Sequence, residues 1–330
     1  PDGLGVEQAP AYLAQVLEWG LVARAAGVVG LDDALRRGAD ALAALLDEHG
    51  NLPDIGDDDG GCVLPGPRER YACSVVGAAL AILGAPVPEA WVPDERSAAL
   101  AAPSLVGRRL ERSRSFPDAG LTVFREGGLV LVVDHGPLGG PPLAAHGHAD
   151  ALALWLSVDG RPVLGGRGTG RYVGDPVGRR FRRGTSAHAT VVVDGADQSV
   201  QHDHPFLWRT RARSRLEDLD LARHTLTASH DGYRQRRGVE HRRTVRLADR
   251  RVELWDTIEG RGRHHVAVVL PLRPGADLRV EVDPRCVLRE RTDRHAARYG
   301  HPCIEARTMV AEAVVEAPAT LRTVLSPASG

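Results

Sequence analysis

Leu13, Val16, Leu17, Gly20 and Leu21 recur at the i, i+3, i+4, i+7 spacing of one helical face, so an amphipathic helix is expected near the start of the chain. Leu35, Ala39, Leu42, Leu45 and Leu46 repeat the pattern, with Asp32 as the expected N-cap and Gly50 as the stop. A third stripe, Tyr71, Val76, Ala79, Leu80 and Leu83, is closed by Gly84 and Pro86. From about Phe116 the period changes. Leu121–Arg125 and Leu129–Asp134 flank Glu126-Gly127-Gly128, and Ala151–Val158 and Arg161–Leu164 flank Asp159-Gly160; both read as hairpins. Thr190–Val193, Thr244–Leu247, Val252–Gly260, His264–Leu272 and Leu278–Val282 continue the strand series.

Helices followed by many short strands predict an α+β chain of two domains: a helical domain over 1–112 and a large antiparallel β-sandwich over 113–330. The boundary falls in the arginine-rich stretch RRLERSRSFPD, downstream of Pro103. There is no internal repeat of fixed period and no low-complexity segment.

The 330 residues are 43% hydrophobic, enough for a real core, and the net charge is −1. Bulk charge therefore argues against a nucleic-acid binder. All 42 basic side chains are arginine, the better fork for carboxylates. Cys62, Cys73, Cys286 and Cys303 show no CxxC spacing and make no metal knuckle. No apolar run is long enough to span a bilayer. No signal peptide is recognised, and the chain begins at Pro1 rather than Met.

The stretch AAHGHADALALWLSVDGRPVL places His146, His148 and Asp150 at alternate positions before an apolar run. If the segment is extended, the three share a face, an arrangement suited to a metal or to a ligand beside a proton-transfer residue. The plain alternative is an exposed polar strand end. His188, in GTSAHATVVVDGADQS, is a third histidine at a strand mouth. RGTGRYVGDPVGRRFRR reads as a loop; Arg171, Arg179 and Arg180 offer forks for an acidic ligand, and Tyr172 offers flat surface for a sugar ring. Tyr12 opens the first helix beside Glu7 and Gln8; on its own it reads as packing. Asp54, Asp57, Asp58 and Asp59 do not match an EF-hand and read as a turn between helices.

Taken in order, GVEQAPAY, NLPDIGDDDGG, AAHGHADALALWLSVDGRPVL and RRGTSAHATVVVDGADQS resemble the heparinase II/III-like family of polysaccharide lyases. The resemblance spans nearly the whole chain, and the last two segments are the most specific. It implies a partial α/α toroid followed by an antiparallel β-sandwich, with the site in the cleft between them. It also implies β-elimination on uronic-acid glycans, with Tyr12 as base or acid and His146 assisting. His148 and His188 match two ligands of a metal, usually zinc. The third family ligand, an aspartate, is replaced here by Gly166, so Asp150 or water takes its place or the metal is lost. In the segment around His188, Ala189 stands for the usual Asn.

The helical part is shorter than the family's toroid, as expected of a fragment, a processed form or a degenerate relative. The implied partner is an acidic polysaccharide, and the family implies a secreted or periplasmic setting. A non-catalytic acidic-glycan-binding protein on the same scaffold is the second reading. A cupin-like metal enzyme is the third; it lacks the cupin glutamate and leaves the helical part unexplained.

Overall fold

The computed structural model describes residues 2–110, 112–140 and 142–328. The three apolar stripes become α1 (Pro10–Ala25), α2 (Asp32–Leu45) and α3 (Tyr71–Ile82), joined by a short α4 (Glu95–Ala99). Leu17 and Leu21 of the first stripe are buried, whereas Val16 is exposed. Asp32 lies inside the first turn of α2 and pairs with Arg24 at 2.7 Å, so it does not act as the cap. The helix ends at Leu45, ahead of Gly50, whose left-handed φ of 81° closes the following Asp47–Gly50 turn.

β1 (Arg114–Phe116), β2 (Leu121–Glu126), β3 (Leu129–Asp134), β4 (Leu154–Val158) and β5 (Arg161–Leu164) form an antiparallel sheet in chain order. A helix, α5 (Pro176–Arg183), follows. Then come β6 (Val191–Val193), β7 (Ser214–Asp220), β8 (Thr225–His230), β9 (Val239–Ala248), β10 (Arg251–Pro271), β11 (Leu278–Val282), β12 (Val287–His295) and β13 (Ile304–Pro327). These make an eight-stranded sheet ordered β11-β13-β10-β9-β8-β7, with β12 on β13 and β6 on β10. The two strands expected over 252–272 are one, β10, with an irregularity between Ile258 and Gly262.

The result is three layers. Leu129, Leu131, Val133, Leu154 and Leu156 pack on the second sheet, while their neighbours Val130, Val132 and Trp155 pack on the helices. A strand covered on both faces reads as a continuous apolar run instead of an alternating one. The division at 112/113 is therefore not a division between cores: the helices and the first sheet share one. The helices form a cluster on that sheet and do not close into a toroid.

Candidate active site

Residues 146–150 are a loop ahead of β4, not an extended strand end. His146 and His148 accordingly diverge, and a single residue of the helical layer holds both. Asp57 sits in the loop between α2 and α3, which Gly56 (φ 64°) folds tightly against the carbonyls of Gln8 and His146. A Cβ on Gly56 would lie 2.2 Å from the Gln8 carbonyl, so only glycine fits. The fully buried Asp57 carboxylate accepts His146 Nδ1 at 3.3 Å, His148 Nε2 at 2.9 Å and both Nη groups of Arg179, Nη2 at 2.6 Å. Burial alone would raise its pKa; these donors outweigh burial and hold it well below the usual carboxylate range.

Pro10 at the helix start sets α1, and Tyr12 projects from its first turn into the same cleft. The Tyr12 and Tyr172 hydroxyls share a short hydrogen bond. The His146 ring lies 4.5 Å from that of Tyr12 and 5.9 Å from Phe206, and Tyr172 is wedged between Phe206 (4.9 Å) and Tyr299 (5.0 Å). Burial raises the pKa of both tyrosines, so both rest as phenols and one proton lies between their oxygens. With His146 Nδ1 committed to Asp57, its Nε2 is left as the acceptor.

Beneath this layer, His148, Asp150 and His188 bring one donor atom each within 4.8 Å of one another, all three buried. His188 Nδ1 donates to the Gly184 carbonyl at 2.8 Å, and His148 Nε2–H faces Asp57. The two remaining ring nitrogens are 3.1 Å apart. Both Asp150 oxygens are buried and lack a hydrogen-bond partner among the described residues. Burial first, and then the charges of Asp54 and Asp57, push its carboxyl up to about 8. Two imidazoles with their outer N–H groups tied to oxygen acceptors, beside an unpaired buried carboxylate, fit a zinc-type dication.

The arginines are distributed differently from the sequence expectation, because DPVGRRFRR is a helix rather than a loop. Asp175 caps α5 by accepting from Gly178 N at 2.9 Å, and Pro176 sits at its first position. Arg179 turns inward to Asp57, with its guanidinium 5.0 Å from the Tyr172 ring, and is not free for a ligand carboxylate. Arg180 is exposed and meets Asp203 at 3.3 Å; Arg171 is exposed and donates to the Gly300 carbonyl at 2.7 Å. Tyr172 stands at the centre of the site, not on its rim.

Gly166 leaves room that another residue fills. A Cβ there would lie 3.3 Å from His188 Cδ2 and 3.5 Å from Asp54 Oδ2. Asp54 Oδ1 accepts from Gly166 N (3.2 Å), Trp155 Nε1 (3.0 Å) and Arg273 (2.5 Å), while Oδ2 has no hydrogen-bond partner among the described residues. Asp54 and Asp57, read from sequence as turn residues, thus join Tyr12 as the helical layer's contributions to the site. Their signal was the NLPDIGDDDGG stretch itself, whose polar residues bond across to segments about 90–120 positions away.

The site sits on a fold with clear relatives. A heparinase III gene product matches with TM-score 0.74 at 18% identity, covering 100% of this chain and 52% of that one. The heparan sulfate lyase of Pedobacter heparinus, as a mutant, gives 0.74 at 18% identity, covering 100% and 53%. A Streptomyces coelicolor chondroitin AC lyase mutant gives 0.53 at 13% identity, covering 96% and 52%. The chain spans about half the length of these structures. No curated protein matches it by sequence. No helix among the described residues is long and apolar enough to cross a membrane. The heparinase II/III-like C-terminal domain model matches residues 108–322, and the chain belongs to that family.

Proposed function

We propose that this chain carries the chemistry of a polysaccharide lyase that cleaves a uronic-acid-containing glycan by β-elimination. The observation that carries the proposal is the Tyr12–Tyr172 hydroxyl pair beside a histidine whose Nδ1 is committed to Asp57. Elimination needs a base for the C5 proton, an acid for the departing O4 and a way to hold the developing negative charge. His146 Nε2 is the acceptor for the C5 proton. Asp57 orients its ring, as a carboxylate does in a catalytic triad. Tyr12, kept protonated by burial, delivers its proton to O4, and the proton taken from C5 returns from His146 to Tyr12 once the products leave, which closes the cycle. Arg171 and Arg180, exposed beside the site, meet the acidic chain. His148, His188 and Asp150 would hold zinc, which when bound supplies fixed positive charge beneath the His146 loop.

The test incubates the protein with heparan sulfate, chondroitin sulfate, hyaluronan and alginate and follows the ultraviolet absorbance of the unsaturated product. Tyr12→Phe is expected to lower turnover about 10²–10⁴-fold with glycan affinity retained. Equal loss of affinity and turnover would show Tyr12 to be a packing residue. Binding without turnover by the wild-type protein favours the second reading, a glycan-binding relative, to which the missing side chain at Gly166 also points. No product and no binding on any of the four removes the lyase reading.

A further inference from the structure

Deep in the sandwich, four polar side chains are joined across three strands of the second sheet. The register sets His230, at the end of β8, opposite His241 on β9, and Arg243 opposite Asp256 on β10. All four are buried, Arg243 to 1% exposure. The proton positions follow from one end. Gly232 N–H donates to His230 Nδ1 (3.1 Å), so His230 Nε2 carries the proton and donates to His241 Nδ1 (3.2 Å). His241 Nε2 then donates to Asp256 Oδ1 (2.7 Å). Both rings are neutral, as burial favours. Asp256 is left as the sole counter-charge of Arg243 among the described residues, gripping Nε at 2.7 Å and Nη2 at 3.0 Å.

This fixes the fork so that Nη1 points into the space between the two sheets. There it donates to two backbone carbonyls, Leu152 at 2.7 Å and Ala189 at 2.8 Å. Leu152 lies two residues past Asp150, and Ala189 is the residue after His188. Leu152 also holds a left-handed φ of 60°, a strained conformation for leucine that persists only where the surroundings impose it.

We propose that Arg243 is a positioning residue for the metal site: it clamps the Asp150 and His188 segments to each other, with Asp256 and the two histidines fixing its aim. The inference rests on the reading of His148, Asp150 and His188 as zinc ligands. Lysine cannot replace the fork, because one ammonium cannot grip Asp256 and span both carbonyls.

The test measures zinc affinity by chelator competition on folded wild-type, Arg243→Lys and Arg243→Met proteins, with Leu325→Ala as a control. Leu325 is buried and pairs with Val252, at the far end of β10 from the strand that follows His188. Both Arg243 variants are expected to bind zinc about tenfold to 100-fold more weakly, the range for supporting groups around metal ligands. The control is expected to lose thermal stability with its zinc affinity unchanged. Wild-type affinity in a folded Arg243 variant, or an equal loss in the control, overturns the inference. Zinc-free wild-type protein instead overturns the metal reading. Hydrogen exchange at the Ala153 and Thr190 amides, which bond to the Asp150 and His188 carbonyls, then decides the clamp. Faster exchange in Arg243→Lys supports it, and unchanged exchange refutes it.

Discussion

His148 Nδ1 lies 3.1 Å from His188 Nε2, and each of these nitrogens is the one its ring leaves without a proton once the other has met its oxygen acceptor. Two lone pairs facing one another repel unless a cation stands between them. The spacing is close to that of two nitrogens on one tetrahedral zinc, roughly 3.3 Å for bonds of about 2.05 Å. The expectation is one zinc per chain, measured by elemental analysis after dialysis. His188→Ala should lose it, and Asp150→Asn should weaken it about tenfold or more.

The same site carries a pH dependence. Asp150, pushed up to about 8 mainly by burial, is protonated at neutral pH without metal, and zinc must displace that proton. Affinity should therefore rise as pH is raised from about 6 to about 8, with proton uptake by the buffer on binding. Calorimetry in two buffers of different ionisation enthalpy reads it. Equal heats in both would remove Asp150 from the ligand set.

Asp57 is the point where both histidines and Arg179 depend on one carboxylate. Asp57→Asn keeps the shape but removes the charge, leaving the buried Arg179 guanidinium uncompensated. Removing one partner of a buried ion pair typically costs about 3–5 kcal/mol. Urea unfolding is expected to show a loss of that order. Arg179→Met, which removes the other partner, should lose a comparable amount, and the two losses should be strongly non-additive in the double variant. Additive losses would mean that Arg179 and Asp57 do not act as a pair.

How much of this was legible beforehand differs by level. The three helices and both hairpins were written in local periodicity and turn chemistry; Asp159-Gly160, for example, takes positive φ at both positions, as a two-residue hairpin turn demands. The histidine segments were legible as motifs. The partnerships were not. Nothing local to Asp57 tells that its oxygens meet residues 146, 148 and 179, because those bonds are made by the layer stacking. The arginine stretch misled for a definable reason: Asp175-Pro176 is a helix start, and its charge pattern suited an exposed loop just as well. Arg243 and Asp256 carried no signal at all, being single polar residues at inward positions of otherwise ordinary strands.

His135 supplies a test away from the site. Its ring is buried, Nε2 meets Thr122 Oγ1 at 2.9 Å, and burial pushes its pKa down to about 4. The unfolded chain holds this proton below about 6.5, so the folded state binds fewer protons in the window between. The stabilisation is complete above about pH 6.5 and is lost as pH falls toward about 4, with roughly 3 kcal/mol at stake for this one residue. His135→Gln should flatten the fall: the stability difference between wild type and variant should shrink from pH 7 to pH 4. A difference constant with pH would place the acid sensitivity elsewhere.

Gly166 and Asp54 give the sharpest test of how the metal site is built. Aspartate at 166 would bring a carboxylate toward the metal site, since the new Cβ would stand 3.3 Å from His188 Cδ2. The same Cβ would stand 3.5 Å from Asp54 Oδ2, a buried oxygen without a hydrogen-bond partner among the described residues, and two carboxylates cannot share that space while both are charged. Burial alone would raise the Asp54 pKa, but Arg273 leads the charges and bonds that keep it ionised, so protonating Asp54 is the costlier escape. Gly166→Asp alone is therefore expected to destabilise the fold by about 1–3 kcal/mol, the usual penalty for overpacking, without improving zinc affinity. Combined with Asp54→Asn, which removes the competing charge, the same substitution should recover stability and tighten zinc by tenfold or more. The quantity to measure is the coupling between the two positions in a double-mutant cycle, read both by urea unfolding and by chelator competition. A coupling near zero would mean that Asp54 does not compete for the space beside Gly166.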